Sequence, residues 1–104
     1  MGEQVQNWIQ MLETEWQTPG GFLGKARKGI FAPQQGTGFT SKLESIKLPQ
    51  DTPIDRRLVS LLWYMPLFLG WQKKRVVEKG GDLLAFEQLT NRVEAIVGKI
   101  LGVP

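Results

Sequence analysis

From Leu58 to Trp71 the chain reads LVSLLWYMPLFLGW, a run of 14 residues without a charge and with apolar side chains at nearly every helical phase. A helix that is apolar all round has to be surrounded by other structure. Spanning a bilayer takes about 20 such residues. This run is shorter and is interrupted by Ser60, Pro66 and Gly70, so it reads as the core helix of a soluble, cytoplasmic protein without a membrane role. In front of it, Thr52-Pro53-Ile54-Asp55 supplies a capping threonine, a proline for the first helical position and an acid near the positive end of the dipole. Pro66 removes one backbone bond and clashes one turn back, so the helix kinks there or ends and restarts. Gln72 to Arg75 then return the chain to water, and Lys79-Gly80-Gly81 breaks it.

The flanking segments are amphipathic. Val5, Trp8, Ile9, Leu12 and Trp16 fall at i, i+3, i+4, i+7 and i+11, one stripe of a helix over 3–17 that Thr18-Pro19-Gly20-Gly21 stops, with glycine supplying a left-handed cap. Phe86, Leu89, Val93, Ile96, Val97 and Ile100 make a second stripe over 82–101, with Asp82 as cap and Gly102 and Pro104 at the end. Between them, FLGKARKG (22–29) predicts a short helix. Residues 30–39 hold Pro33, Gly36 and Gly38 without a period and read as a loop. Ser41 and Glu44 have capping-box spacing for a short helix over 41–47. No strand-like alternation or internal repeat is present. The expected architecture is all-α: a single domain over 1–104, an irregular four- to five-helix bundle around a Pro-interrupted apolar central helix.

The charge is uneven. The net value is +3, yet residues 1–21 carry three acids and no base, 22–80 carry eleven bases against four acids, and 81–104 are slightly acidic. Opposite signs on neighbouring helices attract within one bundle.

The composition excludes much chemistry. There is no cysteine and no histidine, which removes thiol catalysis, disulfides, the commonest general base and the commonest metal ligand. GGFLGK (20–25) lacks the first glycine of a phosphate loop, where Pro19 stands, and its Ser/Thr, where Ala26 stands. Asp51 and Asp55 have no calcium-loop spacing. Ser41, Ser45 and Ser60 have no histidine to activate them, and no motif marks a lysine partner. No enzyme, cofactor or metal site is expected.

What remains is surface. A small bundle rarely hides four tryptophans, and aromatic residues with arginine are what partner surfaces are enriched in. The expectation is a non-enzymatic protein that binds another protein or itself: an adaptor, a small subunit, an immunity- or antitoxin-type inhibitor, or a homodimer. Its anchors are Trp63, Phe68 and Trp71, rimmed by Arg56, Arg57, Lys73, Lys74 and Arg75. The alternative is a nucleic-acid-associated protein that uses the clusters at 25–28, 56–57 and 73–75, with Trp71 or Phe22 stacked on bases.

Overall fold

The computed structural model describes residues 2–49 and 51–104. Seven helical segments follow one another: α1 (Gly2–Gln17), α2 (Phe22–Arg27), α3 (Pro33–Glu44), α4 (Arg56–Trp63), α5 (Met65–Trp71), α6 (Lys73–Glu78) and α7 (Leu83–Leu101), with no strand among the described residues. The joints between α4, α5 and α6 are the single residues Tyr64 and Gln72, both with right-handed helical dihedrals. The three segments therefore act as one broken rod. With α1, α2, α3 and α7 it makes an irregular all-α bundle of five helical bodies.

Packing follows the apolar stripes. Trp8, Ile9 and Leu12 of α1 are buried, as are Phe86, Leu89, Val93 and Val97 of α7, whereas Val5, Trp16, Ile96 and Ile100 are half-buried at the margins. α1 lies against α2 and α4, and α7 lies against α3 and all three segments of the rod. A stack of Phe22 on Phe39, with centroids 4.8 Å apart, and an edge contact of Phe31 with Phe86 at 5.1 Å close the far end of the core.

The rod buries Leu58, Leu61, Leu62, Met65, Phe68, Leu69, Gln72 and Val76. Their i, i+3, i+4, i+7 pattern runs straight through both joints, so breaking the rod does not change its phase. Pro66 sits in the first turn of α5, where a missing N–H does no harm. The helix therefore ends at Trp63 and restarts at Met65, the second of the two outcomes open to a proline here. The carbonyl of Leu61, next to the break, accepts a hydrogen bond from Trp16 Nε1 at 3.0 Å, which pins α1 to the joint. Gln72, read from sequence as solvent-facing, is buried because it occupies the inward phase; its Nε2 donates to the Phe68 carbonyl.

Four further sequence expectations are corrected. Residues 33–39 are not a loop but the first half of α3, which starts on Pro33. Gly36 weakens helix propensity, yet a β-carbon there would stand 3.1 Å from the Leu89 side chain, so it lets α3 approach α7. Ser41 and Glu44 then lie in the last turn of α3 rather than capping a helix over 41–47, and the Glu44 carboxylate goes to Arg92. The rod starts at Arg56 rather than at Pro53. Asp55 caps it, accepting from the backbone N–H of Arg57 and Leu58, while the Thr52 hydroxyl donates to the Pro49 carbonyl in the preceding turn. Positive-φ glycines occur not at 20–21 but at Gly29, Gly80 and, ending α7 as expected, Gly102. Gly29 N–H bonds Ala26 and Ile30 N–H bonds Lys25, the paired pattern that closes a helix on a C-terminal glycine, and Gly80 and Gly81 repeat it behind α6. Asp82 caps α7, accepting from Ala85 N–H.

Asp55→Ala should lower the unfolding free energy by about 1 kcal/mol, the usual worth of an N-cap. Thr52→Ala, which removes only an exposed turn hydrogen bond, should cost less than half of that, both read by urea denaturation.

Candidate functional site

The buried phase of the rod fixes the opposite one. Positions 56, 57, 60, 63, 64, 67, 71, 74 and 75 all face outward. At their centre Trp63 is 50% exposed, Leu67 48% and Trp71 62%, with Tyr64 between them. The rings support one another: Tyr64 makes edge contacts with Trp63 at 5.5 Å and with Trp71 at 5.6 Å. On its inner side Tyr64 lies 6.2 Å from Trp16, which packs edge-on against Phe68 at 4.8 Å. Aromatic contact is thus continuous from solvent to core. The rod is apolar all round, yet on this flank nothing surrounds it. Consistently, the surface totals 6586 Å², where a compact monomer of this mass would show about 5,900 Å².

Of the anchors read from sequence, Trp63 and Trp71 stand on this face. Phe68 does not. It is only 6% exposed because its phase turns it toward Trp16 and Arg27, so it supports the face from beneath. The residues that sequence reasoning missed are Tyr64, Leu67 and Trp16. The phase of Leu58, Leu61, Leu62, Met65 and Leu69 held the signal for the first two, since it leaves positions 64, 67 and 71 on one outward strip.

The basic residues divide into free and engaged. Arg57 is engaged: its Nε and Nη2 donate to Glu13 Oε2 at 3.1 and 2.9 Å, joining α4 to α1. Lys73 approaches Glu87 of α7 at 3.8 Å and so lies off the aromatic face. Arg75 donates from Nη1 to the Arg27 carbonyl at 2.6 Å. Arg56 and Lys74 are exposed with no ion-pair partner among the described residues. Arg27, from the cluster at 25–28, joins this face. Its guanidinium lies 5.5 Å from the Phe68 ring centre, and with Arg57 it borders a shallow hollow of about 600 Å³ walled by Trp16, Trp63 and Tyr64. One residue of each basic cluster therefore meets beside the aromatic row.

A second hollow, of about 360 Å³, lies between the C-terminal halves of α3 and α7 on a floor of Leu43, Ile46, Ile96 and Ile100. Its one acid, Glu44, is already paired, Arg92 Nη2 to Glu44 Oε1 at 2.5 Å, and Lys47 and Lys99 also line it. No group of acids that could hold a metal ion occurs among the described residues, and no helix there is long and apolar enough to cross a membrane. The chain matches no protein-family model, no curated protein and no solved structure.

The hydrogen bond and charge of Arg92 hold the Glu44 carboxyl below its ordinary value. A carboxyl depressed in the folded state contributes stability above its unfolded value and loses it as pH falls through the folded one. Both partners are solvent-exposed, so the contribution is small. Glu44→Gln should therefore destabilise slightly at neutral pH and match the wild type once pH drops below the carboxylate range, as measured by thermal unfolding at several pH values.

Proposed function

We propose that this chain is a non-enzymatic helical protein that works by docking on another protein, as an adaptor, a small subunit or an immunity- or antitoxin-type inhibitor, or on a second copy of itself. The observation that carries this reading is the solvent-exposed row Trp63, Tyr64, Leu67 and Trp71, whose three rings are packed edge to face on a buried support. Large aromatic side chains near arginine supply most of the binding energy at protein interfaces, and contiguous apolar surface of this kind marks interaction sites on small soluble proteins. The absence of cysteine and histidine from the sequence keeps the reading away from catalysis.

Trp63→Ala with Trp71→Ala should leave the unfolding free energy within about 1 kcal/mol of wild type, because both side chains are largely exposed. Loss of one anchor typically costs about 2 kcal/mol of binding, roughly 30-fold in affinity. The test is affinity capture from native lysate beside a solution mass measurement. A discrete protein or a second copy held by the wild type and lost from the double variant is the expected result. A strict monomer whose captured proteins are identical for both forms overturns the reading.

A second reading, nucleic-acid association, is favoured by the meeting of Arg27, Arg57 and Arg75 beside stackable rings. Beside the aromatic row Arg27, Arg56 and Lys74 are free of acids and carbonyls among the described residues, so about three phosphates would be neutralised there. Affinity for a single strand would then fall only about 20-fold between about 50 and 200 mM salt. A titration of single-stranded oligonucleotide at the two salt concentrations checks this, and absence of binding at the lower one ends it.

A further inference from the structure

We infer that the docking face takes an acidic, apolar-centred helix of a partner protein, with a carboxylate seated on Arg27. This rests on the protein-docking reading and deepens it. Arg27 is the informative residue. Its guanidinium is held over the Phe68 ring, a cation–π arrangement that orients the group without neutralising it. No carboxylate lies within ion-pair distance of it among the described residues. An oriented planar guanidinium with unused donors is matched by a carboxylate, which can accept two of its N–H groups together.

The placement of the other charges gives the occupant its length. Arg56 and Lys74, both exposed and unpaired, stand before and behind the aromatic row, separated by 18 helical steps or about 27 Å of rod. Between them Arg57 is tied to Glu13 and Lys73 to Glu87, and the other outward positions, Ser60, Trp63, Tyr64, Leu67, Gly70 and Trp71, carry no charge. The acids nearest this strip are committed or terminal: Glu13 to Arg57, Asp55 to the helix cap, and Glu78 at the last turn of α6. An apolar middle with cations at each end and one at the side is complementary to an amphipathic helix of about 18 residues that carries carboxylates toward its two ends. A flat bilayer would not need a guanidinium fixed to one side of the row over the Phe68 ring, and a nucleic-acid backbone would meet an uncharged stretch at the centre of the strip.

The test uses the full chain and three labelled helical peptides of 18 residues that share one Leu/Trp stripe and end in Glu, Gln or Lys. It adds vesicles of phosphatidylcholine with phosphatidylserine and a 20-nucleotide single strand as further probes. The Glu-ended peptide should bind about tenfold more tightly than the Gln-ended one in low salt and the Lys-ended one least. Arg27→Glu should erase that preference. Lys74→Glu, at a site with no side-chain partner, should weaken it independently should the first variant fail to fold, as judged by its thermal melt. Equal binding of the Glu- and Gln-ended peptides, lost on Trp63→Ala with Trp71→Ala, overturns the acidic partner and leaves the docking reading standing. Binding of the vesicles or the oligonucleotide with none of the peptides overturns it in favour of those surfaces. No binding of any probe, together with a strict monomer and no captured protein, overturns both.

Discussion

The rod from Arg56 to Glu78 must keep one helical phase through two interruptions, and the rest of the structure depends on that constraint. Leu58, Leu61, Leu62, Met65, Leu69, Gln72 and Val76 point inward in unbroken sequence. Had the break at Tyr64 rotated α5 by even a third of a turn, Trp63 and Trp71 would no longer share a face. Two features prevent this. Tyr64 and Gln72 stay in right-handed helical geometry, and the Trp16 indole takes up the carbonyl next to the break, which leaves it paired rather than orphaned. The exposed row is therefore a consequence of how the core was solved, not a separate feature laid over it.

Much of this is legible in the sequence. The two amphipathic stripes, the Pro66 interruption and the Asp82 cap all follow from spacing and residue chemistry, because local geometry determines them. α3 was not legible. Pro33, Gly36 and Gly38 argue against helix locally, and the compensation comes from Leu89 and Phe31, which are remote or outside the helix. The start of the rod was misread for a related reason: Thr52 and Asp55 are both competent caps, and only the path of the chain decides which side chain reaches the free N–H groups. Of the candidate site, Trp63 and Trp71 were legible as aromatic excess. Phe68 was placed on the wrong side because a segment apolar at every phase does not announce which side is covered.

The charge asymmetry resolves into ties between helices. Glu13 to Arg57 joins α1 to the rod, Glu15 to Lys42 joins α1 to α3, Glu87 to Lys73 joins α7 to the rod, and Glu44 to Arg92 joins α3 to α7. Each is exposed on at least one side and contributes little singly. Together they favour one arrangement of neighbours over others that would bury the same apolar area. Glu15 goes further: it is buried and also accepts from the Phe22 N–H at 3.1 Å, so one carboxylate sets both the α1–α2 turn and the position of α3.

The seven-residue α5 has a thermodynamic consequence. A helix of two turns has no independent existence in water; it is ordered only because Met65, Phe68 and Leu69 are locked in the interior. Trp71 and Leu67 ride on that same short segment, and Tyr64 is wedged between two indoles at its start. The Trp63, Tyr64 and Trp71 rings give up part of their rotamer freedom against one another when the chain folds rather than when a ligand arrives. Any association through these rings begins with part of its ordering entropy already spent, which favours slow dissociation over a loose, adaptable encounter.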